Sequence, residues 1–406
     1  MTQRMMDLAR PGGDRSPVLS GLETLLREMN FAWSLVLIGE DQAGKLETLA
    51  RDLRRGFSTT GDSKRITSGF SYLGTEPAIA WASACRDPLY SVMKKSIESF
   101  GLRWSSIRES LDGKPYHYVS LGPGDGQKDK VILQDLSRHN AQLCYVAVDM
   151  STEMLRLGVP SLIRELELSR SRVLPVQLDF SSPDNVTELR RVLNVFFGEE
   201  AVLFSLLGNT MTNYEKDTEL LRMLGERLLR QQDRFVLEIA TTEQLNGALA
   251  QQAADEYGSS RTFREFITSA LMHYTDLHID MESVLFQGGV ESDRALLTKV
   301  IYRNRTGQDI RITLPGRDHV SFPQQDTILL GVSRKYVRDH LESLLAESGV
   351  RMLRSSHSDF GGSADFGGSA HNGLGFGMDL LVLAASPEVT LPEPNNADNV
   401  WRLPRR

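Results

Sequence analysis

Two cysteines in 406 residues, Cys85 and Cys144, are too few for a disulfide framework. Their scarcity points to a reducing compartment, the cytoplasm. No run approaches the roughly 18 consecutive apolar residues of a membrane span, so a membrane is not an expected partner. Positive charge is in deficit, with 46 Lys and Arg against 53 Asp and Glu and a net charge of −7. That balance argues against nucleic acid, whose phosphates need a basic surface. The arginines that are present, as in Arg51–Arg55 and Arg164–Arg172, are interleaved with acids and read as solvated helix faces. Eight scattered histidines lack the paired spacing of a metal site, so no metal is expected. Met1 to Pro17 carries Arg4, Arg10 and Arg15 but lacks the apolar stretch of a secretory signal, and reads as a disordered lead-in.

What the chain does have is a regular alternation from Tyr118 to Ala240. β-rich runs at 118–121, 144–149, 173–179, 201–207 and 234–240 are separated by helical stretches near 128–140, 151–169, 183–195 and 215–230. Ser151 ahead of Glu153, and Ser182-Pro183-Asp184, look like capped helix starts. Such alternation predicts a parallel sheet covered on both faces, with ligands at the carboxyl ends of its strands. The first strand runs into Gly122-Pro123-Gly124-Asp125-Gly126, and the second ends in Asp149. Glycines there let backbone approach a nucleoside cofactor, and the acid can accept hydrogen bonds from ribose hydroxyls. A bare turn also needs glycines; the pairing with the strand-end acid favours the cofactor site.

Outside this block, 20–29 and 40–56 look helical, 60–76 is rich in Gly, Ser and Thr, and 77–101 is mixed helical. Residues 241–277 have helical composition and 278–331 alternate in the manner of strands. A helix at 333–347 and strands at 350–354 and 376–384 would complete the sheet. Between the last two, Asp359-Phe360-Gly361-Gly362-Ser363-Ala364 repeats at once as 365–370, which reads as a flexible surface loop.

Four motifs together resemble the histidine-specific Nα-methyltransferase family of ergothioneine biosynthesis, which uses S-adenosylmethionine (SAM). Gly122 to Lys128 resembles its GSGSGEK loop, and Leu207 to Tyr214 resembles its LGSTIGNF segment. Ser333-Arg334-Lys335-Tyr336 resembles a serine-x-lysine-tyrosine element, and Phe70-Ser71-Tyr72 with Tyr90 echoes an upstream aromatic segment. The resemblance covers about 65–385 and is loose before 115 and between 241 and 325. It implies a class I SAM-dependent methyltransferase fold: Rossmann-like α/β, a seven-stranded sheet, and a second α+β substrate-binding lobe. The expected division is a lead-in at 1–20, substrate lobe at 21–110, SAM-binding domain at 111–241, inserted lobe at 242–332, a return to the SAM-binding domain at 333–390, and a tail at 391–406.

The same resemblance assigns roles. Gly122, Gly124 and Gly126 would lie beside SAM, with Leu207 nearby; Asp149 would take the ribose hydroxyls; Asp179 and Phe180 would take adenine. Lys128 would pair with the SAM carboxylate, or be a solvated first-turn lysine. Asp179 could instead cap a helix. Asn213 would accept from an α-amine and donate to its carboxylate, with Gly208 beside it, or be a turn residue. Tyr72 and Tyr90 would close the pocket, Tyr257 would contact the carboxylate, and Ser333 would touch the substrate side chain or cap helix 333–347. The family glutamate that grips the imidazole lies two residues before that serine; Gly331 stands there. Loss of that carboxylate makes histidine a doubtful acceptor, and a glycine would enlarge the pocket for a bulkier or less polar side chain. The resulting expectation is N-methylation of an amino-acid-like small molecule by a monomer or homodimer, with S-adenosylhomocysteine (SAH) as product. A SAM-binding but catalytically silent protein, or an NAD(P)-linked oxidoreductase on a similar sheet, are the competing readings.

Overall fold

The computed structural model describes residues 36–39, 42–55, 64–67, 69–360 and 375–386. The expected lead-in, the helix at 20–29, the tail, and the repeat beyond Phe360 lie outside them. The chain enters through β1 (Val36–Leu37), α1 (Gln42–Leu53), β2 (Lys64–Arg65), α2 (Thr75–Ala84) and α3 (Ser91–Ile107). The alternating block follows: β3 (His117–Leu121), α4 (Gln127–His139), β4 (Tyr145–Asp149), α5 (Thr152–Glu165) and β5 (Val173–Gln177). It continues with α6 (Pro183–Phe197), β6 (Val202–Leu206), α7 (Asp217–Leu228) and β7 (Arg234–Thr242). An insertion then adds α8 (Gly247–Gly258), α9 (Arg261–Tyr274), β8 (Val284–Glu291), β9 (Ala295–Arg303), β10 (Ile310–Thr313) and β11 (His319–Phe322). The chain returns through β12 (Thr327–Val337), α10 (Leu341–Glu347), β13 (Val350–Asp359) and β14 (Phe376–Ala385).

Side chains alternate across the sheet, so each strand of the block must be apolar on both faces. Val119, Val148 and Phe204 pack on one face with Leu189 of α6 and Leu224 of α7. Tyr118, Tyr145 and Leu203 pack on the other with Trp104 of α3, Leu133 of α4 and Val159 of α5. Strands β5-β4-β3-β6-β7 are parallel neighbours, β14 runs antiparallel beside β7, and β13 lies beyond it. In order of appearance this is 3-2-1-4-5-7-6 with one reversed strand, the sheet of class I SAM-dependent methyltransferases.

One edge of β7 is covered along its length by β14, and the other is shared. β6 pairs with 234–237, and past its end β12 pairs in parallel with Thr241 and Thr242 through Tyr336 and Val337. β12 then continues to β9 and β8, so one sheet runs from the block into the second lobe. The expected boundary at 332/333 therefore falls inside a strand. The predicted helix at 333–347 is corrected with it: Ser333 to Tyr336 pair with Thr298 to Ala295 of β9, and helix begins only at Leu341. Ser333 accordingly caps no helix. The alternation at 277–286 becomes strand only from Val284, after a 3₁₀ turn whose entry is held by the Asp280 side chain.

Candidate functional site

The glycine turn leaves β3 at its carboxyl end, and the Gly122 N–H donates to the Val148 carbonyl at 2.7 Å, tying the turn to β4. Gly124 holds φ at 60°, in the left-handed region that side chains disfavour. Helix α5 backs it closely, since a Cβ on Gly158 would lie 2.6 Å from the Gly124 carbonyl oxygen. Gly126 differs from expectation. A Cβ there would lie 2.7 Å from Leu162 of α5, and the residue does not line the adjoining cavity. It permits close helix packing behind the turn.

That cavity, about 580 Å³, is lined by Gly122, Gly124, Asp149, Asp179 and Phe180, together with Met150, Met154 and Tyr214. Asp149 is buried and accepts the Ser151 N–H at 2.9 Å. Burial pushes its carboxyl up to about 7, against the lowering effect of that hydrogen bond and of the Lys45 charge. Asp179 accepts from the Ser181 N–H at 2.9 Å and from Lys45 Nζ at 3.2 Å. The N-cap of α6 is Ser182, so Asp179 does not cap it. The residues present fit an adenosine: a buried carboxylate, ring-sized apolar walls from Met150, Phe180 and Tyr214, and glycine backbone lining the cavity.

A second cavity, about 790 Å³, lies between the block and the inserted lobe. Its walls are aromatic. Tyr72 lies 5.4 Å from Trp81 and 5.0 Å from Phe266, while Tyr90 lies 5.8 Å from Tyr257 and 5.0 Å from Phe263, between ring centres. Gly208, Asn213, Gly331 and Ser333 complete the lining. Ser333 is a junction: its hydroxyl lies 2.9 Å from the Tyr257 hydroxyl and accepts from Asn209 Nδ2 at 3.2 Å. Burial raises the pKa of both the Tyr72 and Tyr90 phenols, so they stay protonated. No Asp, Glu, Lys, Arg or His lines this cavity among the described residues. The two cavities share Gly69, Tyr72, Trp81 and Asn213, and so meet at one wall.

Two assignments are corrected. Lys128 donates to Ser96 Oγ at 2.6 Å and is ion-paired with Glu238; it lines neither cavity. Glu238, fully buried in β7, also accepts from Arg103 at 2.7 Å and from the Gly208 N–H at 2.6 Å. The ammonium expected beside SAM is thus committed to an internal carboxylate. Leu207 packs its side chain into the sheet-face core, and only its carbonyl acts locally, accepting from Thr210 Oγ1 at 2.6 Å.

Several residues at the site carried no expectation. Phe263, Phe266 and Ile267 form an i, i+3, i+4 stripe on α9, a pattern visible in the sequence but indistinguishable from ordinary core. Trp81, Lys45 and Glu238 sit in helices and a strand whose local sequence gives no sign of them. Asn209 left a fainter signal: it adopts φ 64° and its side chain bridges Ser333 and the Ala240 N–H.

No curated protein matches the chain. Among solved structures, a SAM-dependent methyltransferase from Clostridium acetobutylicum matches at 14% identity over 69% of this chain and 89% of that one, with a TM-score of 0.33. The magnesium protoporphyrin IX methyltransferase of Synechocystis PCC 6803 with bound SAH matches at 10% identity over 78% and 97%, with a TM-score of 0.38. A glycopeptide N-methyltransferase complexed with sinefungin matches at 16% identity over 69% and 92%, with a TM-score of 0.30. Residues 49–362 match the family described as "Histidine-specific methyltransferase, SAM-dependent". With that match covering most of the chain, and the strand order of its sheet, the protein belongs to the histidine-specific, SAM-dependent methyltransferase family and is a SAM-dependent methyltransferase.

Proposed function

We propose that the enzyme methylates the amine of a free amino acid or an amino-acid-derived metabolite, in the cytoplasm and without a metal. The observation that carries this reading is the wall shared by the two cavities, on which Asn213 and Tyr72 face both sides. When bound, SAM supplies an electrophilic methyl carbon: the acceptor nitrogen forms the new N–C bond, the C–S bond breaks with its electron pair going to sulfur, and the amine releases a proton. The chain's own part is to position and desolvate. Gly122 and Gly124 offer backbone, and Asp149 offers a carboxylate to ribose hydroxyls. The Asn213 amide oxygen can accept from the amine while its NH₂ donates to a carboxylate. A cavity without charged lining disfavours an ammonium, so the acceptor gives up its proton to bulk water as it enters and presents its lone pair. The protonated Tyr72 and Tyr90 orient by hydrogen bonding and do not act as bases.

The test is Asn213→Ala. Calorimetric SAM affinity should stay within about twofold of wild type, while turnover of labelled SAM with the accepted amine falls by at least about 100-fold. Retained turnover would remove Asn213 from the reaction, and the amine-binding role with it.

A further inference from the structure

Resting on the amine-methylation reading, we propose that the acceptor carries an uncharged, apolar side chain, and that Ile267 sets the limit of the subsite receiving it. Gly331 occupies the position where the family resemblance calls for an imidazole-binding glutamate, and the expectation was an enlarged pocket. The space is instead taken from the opposite side. A Cβ on Gly331 would lie 3.3 Å from Ile267 Cδ1, tighter than ordinary contact. A methyl group of α9 therefore closes the spot where a carboxylate would project. The surroundings are of the same kind: Leu330, Val332 and Val300 flank Gly331, and Phe263 continues the wall on α9.

The polar groups on this wall are uncharged: Ser333 is held by Tyr257 and Asn209, and Thr298, Ser71, Tyr72 and Tyr90 offer hydroxyls. The charged cluster of Glu238, Lys128 and Arg103 does not line the cavity and is internally paired. A cationic or anionic side chain in this subsite would shed water and meet no opposite charge, and an imidazole would meet only hydroxyls, whereas an aromatic or branched aliphatic one exchanges water for contact. The Gly331/Ile267 pair thus replaces a polar recognition device with a hydrophobic one.

The experiment uses the full chain with labelled SAM and a panel of L-phenylalanine, L-tryptophan, L-leucine, L-histidine, L-arginine and L-glutamate. Calorimetric titration of each into enzyme saturated with SAH provides a readout independent of turnover. The apolar members should show kcat/KM at least about 100-fold above histidine, arginine and glutamate, and only they should bind. Ile267→Ala should raise tryptophan relative to leucine by about tenfold, within the range one or two methylenes command in a hydrophobic pocket. A preference for histidine or a charged member would overturn this inference and leave amine methylation standing. Absence of both binding and turnover across the panel, in enzyme that still binds SAM, would overturn the amino-acid reading and this inference together.

Discussion

Replacing Glu238 by Gln tests the buried charge cluster that ties α3 to β7 and the first turn of α4. The carboxylate is 0% exposed and is held by Lys128 from the first turn of α4, by Ser96 and Arg103 from α3, and by the Gly208 N–H. Burial alone would raise its pKa, but Lys128 and Arg103 outweigh burial and hold it down at about 2, against an ordinary value of 4.5. The folded value lies below the unfolded one. Its stabilisation is therefore complete above about pH 5 and is lost as pH falls towards 2. The gap between the two values corresponds to about 3 kcal/mol. Gln preserves shape and can still accept from Gly208, yet it strands two buried cations, and breaking a buried pair from one side costs about 3–5 kcal/mol. With an unfolding entropy of about 0.8 kcal/mol/K for a chain of this size, the melting midpoint should drop by roughly 4–6 °C at pH 7. Urea denaturation from pH 7 down to pH 3 should show a steeper loss for wild type than for Glu238→Gln, in which Glu291 and the other carboxylates with lowered pKa still titrate. Lys128→Met should cost less in the Glu238→Gln background than in wild type, since the ammonium there has already lost its partner. A variant with the melting midpoint and acid profile of wild type would refute the claim that this cluster holds α3 to the sheet.

Asp149 gives a second loss on acidification, from a pKa shift of the opposite sign and so at a higher pH. Its carboxyl is pushed up to about 7, and only the ionised form accepts from both ribose hydroxyls, so SAM affinity should plateau above pH 8 and weaken about tenfold by pH 6. Asp149→Asn should flatten that profile while binding weakly throughout; an unchanged profile in calorimetric titration would detach this acid from the ribose. Gly126→Ala should destabilise the fold by about 2–4 kcal/mol, because φ is 80° and the new methyl would lie 2.7 Å from Leu162. Denaturant midpoints would expose the error if the cost is negligible.

The block from β3 to β7 was legible because its strands are buried on both faces, and because α5 starts on the Ser151 cap and α6 on Ser182-Pro183. Observed and expected strand limits there differ by no more than two residues at either end. Gly122, Gly124, Asp149, Asp179 and Phe180, the residues expected at the cofactor, line one cavity for the same reason: each lies at or just past the carboxyl end of a strand whose position the alternation dictates. The substrate side was legible only in part. Ser333 looked like a cap because 341–347 is helical and the residues before it are polar enough to join it, but ladder bonds to β9 won over local propensity. The aromatic cage joins α2 to α9, with Trp81 and Phe266 at 4.9 Å across almost half the chain. Their local patterns say only that each faces something apolar. Ile267 could not be read as the filler of Gly331's space, since nothing in either segment records the distance between them.

Strand β12 explains how so small a segment governs both cavities. Its register against β9 slips between Leu329 and Gly331, leaving Leu330 as an extra residue. Such a bulge re-aims the side chains that follow it. Leu330, Gly331, Val332 and Ser333 all line the substrate cavity as a consequence, which a regular strand facing one way could not achieve. The next residue reaches to the other side. Arg334 donates to the Thr212 carbonyl at 3.2 Å and the Tyr214 carbonyl at 2.7 Å, and so grips from both ends the turn that carries Asn213. Glu291 balances its charge from β8. Three residues further, Val337 joins β7 at the carboxyl end of the sheet. The strand that carries Gly331 and Ser333 into the cavity wall is thereby the one whose Arg334 holds the turn bearing Asn213. In the proposed amine site, acceptor side chain and amine are positioned from one piece of backbone.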